Sequence, residues 1–316
     1  MNKRPDTYNG VLLINKPLGL TSHDVVQRLR RILNQRRIGH TGTLDPLAEG
    51  LLVICLGNAT KIVRFLTGWD KTYEADIVIG QRSTTFDREG IDDSEAPRPP
   101  AGLTEDGIEK LLQRFRGRIR QRVPVYSSVR VEGRRLYDLA RRGTDVTPPS
   151  RVVEIESLRF LSYESPHLRL AVTCSKGTYI RSLAHDLGEA IGCGAYLWSL
   201  VRQAVGGLHV RDSWSLEQVE RLHHEGRLEN ELPPCHRVLG FAAIRVTDDF
   251  SRCVIDGRDL SEADVVYIDG VFEVGDTVLL KNGEGSVLAV GTAEAPSRDF
   301  RRPGGRGLFE YMRVLN

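Results

Sequence analysis

The chain has few cysteines and no long apolar run, and each of these features excludes some classes of protein. Its 316 residues include five cysteines, an odd number with no Cys-x-x-Cys pair, which argues against a disulfide framework and against a zinc ribbon. The apolar run at residues 11–14 is far too short for a signal peptide or a membrane span. We therefore expect a protein of the reducing cytoplasm that has no membrane contact.

Motifs for several common chemistries are also missing. The glycine-rich pieces at 283–285 and 304–305 lack a following Lys-Ser or Lys-Thr, and no Gly-x-Ser-x-Gly occurs, so neither a phosphate loop nor a serine hydrolase is indicated. His223, His224, Cys235 and His236 fit no standard zinc spacing and are interpreted as a helix end and a loop. The sequence predicts no metal site.

Positive charge is abundant but nearly balanced over the whole chain. The formal net charge is only +2, and 37 of the 44 basic residues are arginines. Arginine binds phosphate bidentately and stacks on bases, although a genome rich in arginine codons explains the count equally well. Position is more informative, because ten arginines against one Glu and one Asp make residues 111–142 a local basic field.

Hydrophobic periodicity predicts strands and helices without a regular βαβ rhythm. Strands are expected at 11–15, 51–56, 73–79, 152–160 and 168–174, and helices from 22, at 105–115, at 134–142 with Gly143 as C-cap, and at 179–191. This order favours an α+β fold with a mixed, mainly antiparallel sheet flanked by helices. After the prolines at 233–234, short strands at 265–268, 277–281, 287–292 and 308–314 indicate a small β-rich domain.

Asp45 is the first candidate for chemistry. It precedes a proline in the stretch 39–46, which reads as a loop, and such an aspartate is by itself more often a turn residue. Gly39, Gly42 and Gly50 nearby would let a ligand approach the backbone closely. A carboxylate in that setting can act as a nucleophile or a general base without a metal.

Two other residues have both a structural and a functional interpretation. Arg181, at the start of a predicted helix, is either an exposed helix cation or the ion-pair partner that keeps Asp45 ionised. Tyr73, on a predicted strand, is either a core residue or an aromatic ring at the edge of a site that stacks on an extruded base. The residues alone leave both pairs of alternatives open.

Five stretches of the chain closely resemble the TruB family of tRNA pseudouridine synthases. They are Asn15-Lys16-Pro17 with Gly19, Thr21 and Ser22; GHTGTLDPLAEGLL at 39–52; Lys71-Thr72-Tyr73; VPVYSSVRVEGRRLYDLARRG at 123–143; and KGTYIRSLAHDLG at 176–188. They are long, specific and correctly ordered, and they span most of residues 10–210. Ser128 and Arg130 stand where Ala and Lys are commoner in the family, which leaves the phosphate contacts least defined.

The resemblance implies a pseudouridine synthase fold, with a catalytic domain at 1–236, a thumb loop at about 123–148, and a PUA-like RNA-binding domain at 237–316. The implied reaction is the isomerisation of the uridine at position 55, in the T loop of tRNA, to pseudouridine. It needs no cofactor. The implied partner is the T-arm stem-loop of tRNA, bound by a monomer that requires no protein partner.

The resemblance also assigns residues. Asp45 would be the catalytic aspartate, Tyr73 the ring that stacks on the target base and Arg181 the partner of the aspartate. The residues expected to bind substrate are His40 at the flipped nucleotide, Tyr179 and Leu197 lining the pocket, Arg202 at phosphate, and Tyr126 and Arg130 in the thumb loop. Whether Asp45 adds to the base, adds to the sugar or takes the C2′ proton is left open.

Two rival functions stay possible at this point. A non-catalytic tRNA-binding or tRNA-folding protein could use the same loop to hold the T arm, but pure binding would not need a carboxylate beside phosphates. A hydrolase of glycosidic bonds would normally use two carboxylates, and only Glu49 lies near Asp45 in the sequence.

Overall fold

The computed structural model describes residues 7–92, 96–127, 129–131, 133–141, 146–233, 235–300 and 307–315. Within these ranges the strands are β1 (Gly10–Lys16), β2 (Ile38–His40), β3 (Ala48–Leu56), β4 (Lys71–Ile79), β5 (Gly117–Arg122), β6 (Arg130–Val131), β7 (Arg134–Arg135), β8 (Ser150–Glu164), β9 (His167–Cys174), β10 (Ala195–Val205), β11 (Leu208–His209), β12 (Ala243–Val246), β13 (Val265–Asp269), β14 (Thr277–Lys281), β15 (Val287–Ala293) and β16 (Phe309–Val314). The α-helices are α1 (Ser22–Ile32), α2 (Val63–Leu66), α3 (Glu105–Leu112), α4 (Leu136–Arg141), α5 (Ile180–Ile191), α6 (Leu216–His224), α7 (Cys235–Leu239) and α8 (Asp248–Cys253). None of these helices is both long and apolar enough to cross a membrane.

The larger sheet has the order β1-β3-β10-β4-β9-β8-β5, with β2 added to β3 and β11 to β10. The β3–β10 pair is parallel and the other neighbours are antiparallel. The second sheet, in the order β13-β12-β14-β15-β16, is likewise mostly antiparallel. The predicted α+β fold, with a mainly antiparallel mixed sheet and a β-rich C-terminal part, is confirmed.

Most predicted elements are present with shifted ends, and the exceptions have physical causes. Residues 38–40 form strand β2 along β3, so the expected loop begins only after His40. Strand β5 was not predicted because its arginines alternate with a single apolar residue, Ile119, and with the buried polar Gln121, so no apolar periodicity is visible. The predicted helix at 134–142 begins at Leu136, and its proposed C-cap Gly143 lies outside the described residues.

The apolar core is divided by the sheet. On one face, Ile77, Leu170 and Leu197 pack against Ile108 of α3 and Leu183 of α5. Elsewhere, the helices α1 and α6 cover β1 and β3. Helix α5 is therefore held against the sheet by its apolar residues, and this fixes the position of Arg181 at its first turn.

The two sheets share a core. Leu13 and Val53 of the large sheet belong to the same buried cluster as Ala243, Leu279 and Val290 of the small sheet. Burial of apolar surface is the main stabilising contribution in such packing. The C-terminal sheet is therefore packed against the large sheet rather than tethered to it by a linker alone.

Candidate active site

A cleft of about 230 Å³ lies where several chain segments meet at strand β10. Its lining comprises residues 41–45, Lys71 and Tyr73 at the start of β4, residues 175–181 before and within α5, Leu200 and Arg202 on β10, and Thr67 and Ser127. Strand β10 brings these segments together because β3 and β4 pair on its two sides, with Arg202 opposite both Gly50 and Tyr73. The central strand of the site was not predicted from periodicity.

The loop that carries Asp45 is fixed by the segment before α1. The Ser22 hydroxyl accepts the Leu44 N–H at 2.8 Å and donates to the Leu44 carbonyl at 3.2 Å. The Gly19 N–H donates to the Pro46 carbonyl at 2.8 Å. The motif at 15–22 thus acts as a support for the aspartate loop, a relation that spacing in the sequence does not show.

Asp45 and Arg181 form an ion pair. Arg181 Nη2 lies 2.9 Å from Asp45 Oδ2, and the arginine side chain is 6% exposed while that of Asp45 is 40% exposed. Arg181 also donates from Nη2 to the Tyr126 carbonyl at 3.1 Å and from Nη1 to the Thr85 carbonyl at 3.4 Å. The guanidinium is therefore held inside the protein and presents an accessible carboxylate to the cleft.

A second carboxylate, which sequence reasoning missed, binds the same guanidinium. Asp87 Oδ2 lies 3.3 Å from Arg181 Nη1, and the Asp87 side chain is 4% exposed. Its neighbour Phe86 accepts the Leu197 N–H at 3.0 Å, so this loop lies along the part of β10 that β3 does not reach. No pattern distinguished Asp87 from the polar residues around it, because its partner lies far away in the sequence.

Two tyrosines border the cleft. Tyr73 is 8% exposed, and burial raises the pKa of its phenol while the Arg202 charge opposes this rise. Tyr179 caps helix α5, and its N–H donates to Gln121 Oε1 at 2.8 Å while its carbonyl accepts from Gln121 Nε2 at 3.0 Å. Both rings are thus positioned by strands of the large sheet.

Cations at the base of the cleft are held by backbone carbonyls. Lys71 donates to the Thr67 carbonyl at 2.8 Å and to the Trp69 carbonyl, and burial lowers its pKa to about 8, with the Arg202 charge acting in the same direction. Lys16, fully buried nearby, donates to the Leu20 carbonyl at 2.6 Å, and burial lowers its pKa to about 8 although Glu49 and Asp45 oppose the shift.

Arg202 is placed differently from the phosphate contact expected from the sequence. Its side chain is fully buried, and it donates from Nε to the Leu51 carbonyl at 2.6 Å and from Nη2 to the Gly42 carbonyl at 3.1 Å. Two of its donors are thus bound within the fold, and Arg202 borders the cleft. The glycine at 50 serves the same packing, because a Cβ there would lie 2.4 Å from the Arg202 carbonyl oxygen. The close approach expected of a ligand at Gly50 is therefore made by β10.

The remaining predicted substrate residues lie at or outside the edge of the cleft. Leu197 is fully buried in the core and does not border the cleft, where Leu200 lies instead. His40 ends β2, and burial lowers its pKa, with the Arg202 charge adding to the shift. Tyr126 is 39% exposed and Arg130 is exposed on the β6–β7 hairpin. The structure thus brings Asp45, Tyr73, Arg181 and Tyr179 together, but not Leu197.

No group of three or more metal-ligating His, Cys, Asp or Glu side chains occurs in the described ranges. Within the proposed thumb segment, the described helix and strands are α4 and the hairpin β6–β7. Residues 128, 132 and 142–145 of that segment lie outside the described residues.

Three family models match consecutive parts of the chain. Residues 30–180 match the TruB family pseudouridylate synthase (N terminal domain), residues 181–239 the tRNA pseudouridylate synthase B C-terminal domain, and residues 242–314 the PUA domain. The large sheet with its cleft and the small C-terminal sheet thus define a pseudouridylate synthase that carries a PUA domain.

Similar proteins and structures agree with these matches. The chain is 40% identical over 293 residues to the tRNA pseudouridine synthase B of Moorella thermoacetica, covering 92% of this chain and 95% of that protein. It is 42% identical to the same-named protein of Staphylococcus epidermidis, covering 79% of this chain and 85% of that protein. The chain belongs to the TruB family of pseudouridylate synthases, and the resemblance stated from the sequence is confirmed.

Among solved structures, the crystal structure of a Cbf5-Nop10-Gar1 complex is similar with a TM-score of 0.75 and 25% identity, covering 99% of this chain and 88% of that one. A structure of an H/ACA RNP bound to a substrate RNA containing 2′-deoxyuridine has the same TM-score at 23% identity, covering 100% of this chain and 92% of that one. At that identity the second likeness shows the fold alone.

Proposed function

We propose that this enzyme converts a uridine of the tRNA T loop, at position 55, to pseudouridine, and that Asp45 is its catalytic residue. The observation that carries the proposal is the ion pair of Asp45 with buried Arg181, in a cleft that Tyr73 and Tyr179 also line. The names of the relatives, which are tRNA pseudouridine synthases, support the substrate class.

The reaction breaks the N1–C1′ bond, turns the uracil and joins C5 to C1′, while the proton on C5 is replaced by one on N1. Atoms and electrons balance without an oxidant or a donated group. Asp45 would assist cleavage by adding to the base or the sugar, or by taking the C2′ proton. The ion pair with Arg181 keeps the carboxylate turned toward the cleft in each case.

The target base must leave the stack before it can enter the cleft. The cleft is smaller than the ~300–1,000 Å³ of drug-sized ligand sites, which fits a single nucleotide. Stacking on Tyr73 would recover about 1–3 kcal/mol of the lost base stacking. Burial raises the pKa of the Tyr73 phenol above its ordinary value.

The PUA sheet and the exposed arginines of the β6–β7 hairpin would bind the RNA outside the cleft. The PUA sheet shares a core with the catalytic sheet, so the two RNA-binding parts are packed together within one chain. We propose that the enzyme acts as a monomer on the T arm, in the cytoplasm where tRNA is found, without a protein partner or a cofactor.

The test is a reaction of the purified protein with an unmodified tRNA transcript, in which pseudouridine is mapped by chemical labelling. Wild type should modify the T-loop uridine, and Asp45→Asn and Asp45→Ala should be inactive while they still bind the transcript. Asp212→Asn, at an exposed carboxylate outside the cleft, is the matched control and should stay active.

Each alternative has its own result. Release of free uracil would indicate a hydrolase, and T-arm binding without pseudouridine in the wild type would indicate a tRNA-binding protein. Near wild-type turnover by Asp45→Asn would refute the catalytic assignment. A T-arm stem-loop should suffice as substrate, and replacement of its target uridine by cytidine should abolish product.

A further inference from the structure

The loop at residues 83–90 carries an aromatic ring stacked on the helix that holds Arg181. The Phe86 ring lies against the His185 imidazole with a centroid separation of 3.9 Å and an interplanar angle of 13°. His185 follows Arg181 by four residues on α5, and residues four apart lie on the same helix face. The stack is therefore one helical turn from the guanidinium that binds Asp45.

The backbone at Phe86 has an unusual conformation. Its φ of +65° lies in the left-handed region, which is costly for a bulky aromatic residue and persists only where surrounding contacts enforce it. The reversal sends the Phe86 carbonyl to the Leu197 N–H at 3.0 Å. The residues on either side of Phe86 both face Arg181 Nη1. The Thr85 carbonyl oxygen lies 3.4 Å from this atom and the Asp87 carboxylate 3.3 Å from it.

The stack is the ring contact that joins this loop to helix α5. Burial lowers the pKa of His185, while Glu189 opposes the shift and Arg122 and Arg82 add to it. The neutral imidazole can then stack as an aromatic ring. A second ring contact, Arg88 over Trp198 at 5.6 Å, ties the loop to β10 instead.

We propose that Phe86 and His185 are positioning residues that keep Thr85 and Asp87 on Arg181 and thereby set the direction of the Asp45 carboxylate. Neither residue lines the cleft. The inference rests on the proposed function and adds two residues that act through Arg181 rather than on the RNA.

The test uses single-turnover pseudouridine formation on an unmodified tRNA transcript, with the full-length enzyme in excess. Phe86→Asn keeps a residue that tolerates a positive φ but removes the ring, and His185→Ala removes the facing ring. Each should slow the rate constant by about 3- to 10-fold, the equivalent of one aromatic pair, and leave the Kd for the transcript unchanged. His185→Phe keeps a ring to stack and should restore the rate.

Two further measurements separate positioning from general stability. His223→Ala removes a histidine–aromatic contact far from the cleft, where the His223 ring meets Tyr8 edge-on at 5.7 Å and its Nδ1 lies 2.8 Å from the Tyr8 hydroxyl. It should lower Tm without changing the rate constant. The double variant Phe86→Asn/Asp87→Asn should be no slower than Asp87→Asn alone, since both changes act through Arg181.

Wild-type rates for folded Phe86→Asn and His185→Ala would overturn the proposal, as would additive effects in the double variant. If Phe86→Asn does not fold, equal rates for His185→Ala and His185→Phe would overturn it. These results differ from failure of the proposed function, in which the wild type makes no pseudouridine or Asp45→Asn matches it.

Discussion

Two buried cationic centres border the cleft, and their partners differ. Arg181 binds two carboxylates, Asp45 and Asp87. Lys71 and Arg202 bind backbone carbonyls. The two carboxylates compensate the charge of the first centre, which can therefore hold the Asp45 carboxylate in a fixed direction. The second leaves positive charge next to Tyr73, where it would favour the negative charge that develops on uracil when its glycosidic bond breaks.

The energetic consequence appears at Lys71. Carbonyl dipoles satisfy its N–H groups but do not offset the loss of water around a full charge. Burial accordingly lowers the pKa of Lys71 to about 8. We infer that substitutions affect the two centres differently. In the first centre a substitution disturbs the geometry of the ion pairs, and in the second it removes a buried positive charge.

Arg181→Lys should have the largest effect on turnover, because it alters the centre that binds two carboxylates. Lysine keeps the charge but cannot reproduce the planar fork that reaches Asp45, Asp87 and two carbonyls. We expect kcat for pseudouridine formation to fall by about 10²- to 10³-fold with little change in tRNA affinity. Arg82→Lys, at an exposed pair with Glu189, is the control, and an equal loss in both variants would contradict the idea.

Asp87→Asn should have the next largest effect. It leaves Arg181 with one carboxylate and replaces a charge-assisted hydrogen bond, which is worth about 1.5–3 kcal/mol. We expect kcat to fall by about 10- to 100-fold, measured under single-turnover conditions. Asp76→Asn, at a carboxylate that pairs with His167 at 3.0 Å outside the cleft, should retain the wild-type rate.

Lys71→Met would test the carbonyl-held centre through stability. The folded pKa of about 8 lies below the ordinary lysine pKa of 10.5, so the unfolded chain binds more protons between these values and the free energy of unfolding rises with pH in that window. The variant should flatten this rise by on the order of 1 kcal/mol.

The measurement is denaturant unfolding from pH 7.5 upward, at roughly half-unit steps. Cys174, whose pKa burial raises to about 12, adds an opposite slope at higher pH, so the difference between variant and wild type is the informative quantity below pH ~9. Lys110→Met, at an exposed lysine of α3, should show the wild-type pH profile. An unchanged slope for Lys71→Met would show that its charge carries no burial cost.

Arg130→Ala should have the smallest effect on turnover. Its side chain is exposed on the β6–β7 hairpin, where it would contact phosphate if this segment closes on the T arm. Its removal should reduce the salt dependence of log K by about 0.7–0.9 per lost contact and leave kcat unchanged at saturation. Arg227→Ala, at an exposed arginine paired with Glu225, should keep the wild-type salt slope.

Local pattern was a good guide where one segment forms an element by itself. The helix expected from residue 22 begins there, and the Thr21 side chain before it accepts the Asp24 N–H in a capping box. Helix α5 begins after Tyr179 and ends at Gly192 in the left-handed conformation. Strand β10 was missed although it is central to the site, because its two-sided pairing and its bulges obscure a simple alternation.

In the site, too, residues within a local motif were predicted, whereas positions set by strand pairing were not. The motif around Asp45 and the segment before α5 singled out Asp45 and Arg181 as residues to examine, and their ion pair is present. Leu197 was expected in the cleft, but two residues and a bulge separate it from Leu200, which lies there. Whether each of these residues has its assigned role stays a prediction until the variants are measured.

The motifs by themselves determined the family and the candidate aspartate, and hydrophobic periodicity determined the α+β class. Both can be read from the sequence because they are properties of residues close together in the chain. The pairing of Arg181 with Asp87, the burial of Arg202 and the stack of Phe86 on His185 were decided only by the tertiary structure. Each joins residues at least 90 positions apart or depends on which face of a strand is covered, and only the sheet order around β10 sets those relations.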